Sequence, residues 1–197
     1  MKKKEIRALV ETGVLVGVAV ILDLIFGAMS TFPNGGNIGL GMLPIFILAA
    51  RRGPKYGLTG GLLLGIISFM FKPYFLSFLQ FGFDYLFAFG LLAIGAFIPK
   101  SNSKLSRFFL MIAIGSFVRL IMASLAGIFY WAEYIPDGMA YLDGYLGTNF
   151  ESMQGNQMVI FGSFLYNFAY LFPSAVLCIL IGGVMLKRGV VHYRLES

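Results

Sequence analysis

The sequence predicts an all-α membrane protein of six transmembrane helices with both termini in the cytoplasm, and its composition carries most of that prediction. Hydrophobic residues make up 58% of the 197-residue chain and charged residues only 12%, about half of the roughly 25% found in soluble domains. Mean hydropathy is +0.84, and the apolar residues fall into runs suited to a hydrocarbon core of about 30 Å. One Cys (Cys178) and one His (His192) leave no disulfide framework and no Cys/His-rich metal site. His192 falls in the polar C-terminal tail, which excludes most Ser-His and Cys-His catalysis. No enzyme and no cofactor are expected. The formal net charge of +6 lies in segments between apolar runs, a pattern of membrane orientation and not of nucleic-acid binding.

Taken in order, the first run is Ala8–Ala28, of full spanning length. Lys2, Lys3 and Lys4 precede it and no small-residue cleavage site ends it, so a retained helix is expected and not a signal peptide. Within it Gly13 and Gly17 form a Gly-x-x-x-Gly pair, which lets a second helix backbone approach closely, inside the chain or in a partner. The second and third runs, Ile38–Ala50 and Tyr56–Phe71, are short for spans. Pro44 and the Gly60-Gly61 pair mark them as irregular, which is tolerated inside a bundle or along a cavity. The fourth, fifth and sixth runs are Ser77–Ile98, Phe108–Ala132 and Met158–Leu186.

Charge fixes the expected orientation. The N-terminus, Arg51-Arg52-Gly53-Pro54-Lys55, the segment from Lys100 to Arg107 and the tail from Lys187 hold 13 of the 15 Lys and Arg residues. Basic residues favour the cytoplasmic side. Residues 133–157 form the longest polar stretch, with Glu133, Asp137, Asp143 and Glu151. It is expected as an outward loop, either a lid over an outward-facing site or a passive connection. No long-period repeat divides the chain, so residues 1–197 read as one transmembrane domain.

Ionisable residues inside spans are costly and therefore candidates for function. Asp84 stands near the middle of the fourth run, one helical turn after Gln80, so both share a face. A carboxylate placed there can hold a cation or exchange hydrogen bonds with an aminopyrimidine or pyridine ring. Equally, it can form an interhelical ion pair with Arg119, central in the fifth run. Asp23 lies near the outer end of the first run, where snorkelling to the interface is cheap. Trp131 and Tyr74 read either as interfacial belt residues or as stacking surfaces for a flat heterocycle. The chain has no Gly-x-x-x-x-Gly-Lys-Ser/Thr loop, so a transporter of this kind draws its energy from an ion gradient or from a partner ATPase.

Several stretches together resemble the thiamine-specific S components of energy-coupling factor (ECF) vitamin transporters. They are Glu11-Thr-Gly13-Val-Leu-Val-Gly17, Met42-Leu-Pro44 through Arg51-Arg52-Gly53, Gly57 through Gly65, Tyr74 through Gln80 to Asp84-Tyr85, and Ala126 through Trp131 to Tyr134. The resemblance implies a six-helix bundle that captures a vitamin from outside and associates with a transmembrane coupling subunit and two cytoplasmic ATPases. It implies that Gly13 and Gly17 meet the coupling subunit. It further implies that Tyr74, Tyr85, Trp131, Asn167 and Asp84, an Asp where the family has Glu, form the binding site, with Arg119 at another basic position. Gly35 and Gly39 stand where the family has Trp and Glu, Ala123 where it has His, and Gly162 roughly where it has Tyr. Each change is large to small, so the pocket is either roomier or refilled by Phe residues and the outward loop. Thiamine is the first expected ligand; pyridoxine or hydroxymethylpyrimidine would ask less of such a pocket. A carrier acting alone, coupled to ions through Asp23, Asp84 and Arg119, is the alternative from another class.

Overall fold

The computed structural model describes residues 3–97, 103–189 and 191. Lys2, Lys100 and His192, used above for orientation and chemistry, lie outside them, as do Ile98 and Arg194 of the basic tail. Among the described residues the chain forms α1 (Lys3–Ala28), α2 (Leu43–Arg52), α3 (Pro54–Phe71), α4 (Phe78–Phe97), α5 (Lys104–Tyr130), α6 (Ile135–Leu146) and α7 (Gly155–Lys187), with no strand. Five of these, α1, α3, α4, α5 and α7, are long and apolar enough to cross a membrane. The chain is a multi-pass helical membrane protein.

The second expected span differs most. Residues 39–42 are bends and turns, and α2 begins only at Leu43 with Pro44 in its first turn, where the missing N–H costs nothing. Ten residues at about 1.5 Å each cover about half of the hydrocarbon thickness. Every residue from Leu43 to Ala50 is buried, Ile45, Phe46 and Leu48 completely. Such a short helix is stable here because it meets protein on all sides. It ends at Gly53, whose φ of 89° few side chains adopt, and Pro54 opens α3 directly. Glu11 on α1 accepts hydrogen bonds from Arg51 and from Arg52, the latter 2.5 Å through Nη2, and this joins α1 to the end of α2.

Lipid gives helices no hydrophobic reason to associate, so close van der Waals approach must hold the bundle. The glycines of α3 provide it. A Cβ on Gly65 would collide with the Tyr85 carbonyl, and one on Gly61 with the Phe89 carbonyl. Backbone therefore lies against backbone where α3 crosses α4. That helix is not uniform: Ser77 caps its start by accepting from Gln80 N at 3.1 Å. A π-helical turn then runs through Gly82–Phe87, and a 3₁₀ segment through Leu91–Phe97. A π turn inserts one residue into the helical register and is frequent at functional sites.

Residues 133–157, expected as an outward loop, are helical over Ile135–Leu146. Ile135, Met139 and Leu142 of α6 bury against Met158 and Tyr166 of α7, with Phe32 and Tyr170 packed alongside. α7 has 33 residues, well beyond the roughly 20 that a bilayer requires, and its first turns carry this second, smaller core.

Candidate functional site

A cavity of about 490 Å³ opens between the five long helices, the 29–42 segment and α6. Its size falls in the range of about 300–1,000 Å³ typical of small-molecule sites. Asp84, Tyr85, Tyr74, Trp131, Asn167 and Arg119 all line it. Six of the seven expected ligand-binding residues thus come together from α4, α5, α7 and the α3–α4 turn.

Asp84 is the most constrained of them. Its Oδ2 accepts from Gln80 Nε2 at 2.6 Å and from Trp131 Nε1 at 2.8 Å. Gln80 does not line the cavity. It is fully buried at 0% exposure, and its Oε1 accepts from Leu76 N at 3.2 Å, which fixes the side chain that aims Asp84. Charge-assisted bonds of this kind are shorter and stronger than neutral ones. The interhelical ion pair considered for Asp84 and Arg119 is not formed. Arg119 instead places its guanidinium 4.2 Å from the Phe89 ring centroid, a cation–π arrangement.

Aromatic rings form one wall. Trp131 terminates α5 and its ring lies 4.5 Å from Tyr74 and 5.6 Å from Tyr134. Both Trp131 and Tyr74 line the cavity. Tyr74 and Tyr134 share a hydrogen bond of 3.3 Å between their hydroxyls, and that bond holds the Tyr134 phenol above its ordinary range. Tyr85 donates to the Lys72 carbonyl at 3.0 Å. Asn167 is buried; its Nδ2 donates to Ser163 O at 2.8 Å and its Oδ1 accepts from Tyr170.

The four small residues divide evenly. Gly35 and Ala123 line the cavity and widen it. Gly39 is closed off by Phe26, 2.6 Å from where its Cβ would be, and Gly162 by Ile135 and Met139 of α6. Two of these positions thus open onto the cavity and two are filled, one by Phe26 and one by α6.

Tyr166, Tyr170, Asn34, Asn37 and Lys72 also line the cavity and were not anticipated. Tyr166, Tyr170 and Ser174 repeat every four residues beside Asn167, a polar stripe on an otherwise apolar helix that could have revealed the wall. Asp23, expected at the interface, also faces the cavity. Gly13 and Gly17 lie far from all this, exposed on α1 with no atom within 4 Å of an added Cβ.

Residues 9–143 match the family model described as Thiamine transporter protein (Thia_YuaJ). The chain is 27% identical over 191 residues to the thiamine transporter ThiT of Bacillus subtilis (strain 168), covering 91% of this chain and 90% of that protein. Its fold matches a solved structure of ThiT from Listeria monocytogenes with a TM-score of 0.76 at 23% identity, covering 95% of this chain and 97% of that one.

Proposed function

The chain belongs to the thiamine transporter protein family, and from that premise we propose that it is a thiamine-binding S component of an ECF-type importer. In this reading the cavity captures thiamine from outside. A transmembrane coupling subunit and two cytoplasmic ATPases, which the chain itself cannot replace, then drive its release inside. Both termini face the cytoplasm, and residues 133–157 lie outside.

The observation that carries the reading is Asp84. Gln80 and Trp131 occupy one of its oxygens, which orients the other to accept from the amino group of an aminopyrimidine. Trp131 and Tyr74 offer ring faces to the same heterocycle, and aromatic faces also attract the thiazolium cation. Gly13 and Gly17 present an open small-residue surface, suited to a helix of the coupling subunit.

Calorimetric titration of the purified protein in detergent tests the reading, with pyridoxine as the paired ligand. Sub-micromolar thiamine binding is expected. Tight pyridoxine binding with no heat from thiamine would keep the scaffold and overturn the ligand.

A further inference from the structure

Two carboxylates line the cavity, and they are held very differently. Asp84 on α4 has one oxygen saturated by two short bonds. Asp23 on α1 has only Ser68 Oγ, at 3.5 Å, a separation at which a hydrogen bond contributes little. Gly41 packs closely against Asp23, and an added Cβ there would lie 3.1 Å from Asp23 Cβ and 3.3 Å from Oδ1. Two cations, Lys72 and Arg119, line the same cavity. Among the described residues neither forms an ion pair with Asp23 or Asp84; the ion pairs seen involve Glu11.

This difference matches the two halves of thiamine. An aminopyrimidine donates and accepts in fixed directions, and needs an oriented carboxylate such as Asp84. A thiazolium carries its charge on a quaternary nitrogen with no N–H to donate. Such a ring is recognised by uncommitted negative charge and ring faces, not by an aimed acceptor. With Lys72 and Arg119 repelling any cation that enters, a second carboxylate has to offset them. Asp23 is the one acidic side chain besides Asp84 among the lining residues.

Resting on the thiamine reading of the cavity, we propose that Asp23 is the specificity-determining residue that recognises the ligand's thiazolium charge, while Asp84 recognises its aminopyrimidine. The competing role is a counter-charge that merely holds Arg119 in place, and the two roles separate experimentally. The ligand pair is thiamine and its thiophene analogue, in which carbon replaces the quaternary nitrogen and the ring is neutral.

For D23N the expected result is at least a tenfold loss of thiamine affinity, with analogue affinity changed less than twofold. D23E should recover most of the thiamine affinity. Equal losses for both ligands would assign Asp23 to Arg119 and overturn the proposal, as would unchanged thiamine binding. Should D23N not fold, D23S measured with the same two ligands decides by the same criteria. Failure of the unaltered protein to bind thiamine at all would overturn the ligand assignment itself, and this inference with it.

Discussion

Trp131 Nε1 and Asp84 Oδ2 meet at 2.8 Å across the boundary between α5 and α4. The bond joins the residue that caps the end of one helix to the π-helical turn of another, so the aromatic wall and the carboxylate of the cavity are positioned as one unit. Since the chain contains one Trp, its intrinsic indole fluorescence comes from this site.

Replacing Asp84 with Asn removes the charge while keeping the shape. A hydrogen bond involving a charged group contributes about 1.5–3 kcal/mol, so thiamine affinity should fall at least tenfold. Titration calorimetry checks the affinity, and a thermal melt in detergent checks that the protein still folds. Unchanged affinity would remove Asp84 from the site.

Trp131→Phe preserves an aromatic face but deletes the N–H that reaches Asp84. Thiamine affinity should fall by several-fold, and Trp131→Ala should cost more because the ring against Tyr74 is lost as well. In the unaltered protein thiamine should change the tryptophan emission. A silent titration alongside calorimetric binding would show that the ligand lies elsewhere.

Gly65→Ala forces a Cβ into the Tyr85 carbonyl, and backbone on both sides leaves no flexible group to yield. Overpacking of this sort costs about 1–3 kcal/mol. The melting temperature should drop and thiamine binding weaken, because the π turn carrying Asp84 and Tyr85 shifts. Gly13→Ala, which meets nothing within 4 Å, is the matched control and should melt as the unaltered protein does.

Leu at both Gly13 and Gly17 should abolish thiamine uptake by cells while leaving binding to the purified protein intact. Uptake that survives the double substitution would place the coupling surface on another face of the bundle.

The long helices were legible because hydropathy alone marks a segment that must cross lipid. α2 was misjudged at its start, since Ile38 to Met42 is apolar enough to read as helix while Gly39 and Gly41 let the chain bend. Gln80 and Asp84 could be read from their i,i+4 spacing, and the bond between them is present. The partner of Arg119 could not: whether it meets Asp84 or Phe89 depends on how α5 is rotated, which spacing does not encode. Tyr166 and Tyr170 were hidden among 10 Tyr and 21 Phe, and that Asp23 lines the cavity could not be read, because sequence position gives depth in the membrane but not which way a helix faces.

The brevity of α2 bears on how the protein is made. Ten residues cannot partition into a bilayer as an independent segment, and Arg51 and Arg52 at its end oppose their own transfer. During synthesis α2 therefore has to wait at the membrane surface, or enter as a hairpin with α3, until neighbours exist to enclose it. Its burial on every side therefore depends on neighbours, above all α3 and α1, against which it packs most. A chain interrupted before α3 emerges would lack the helix that α2 packs against most.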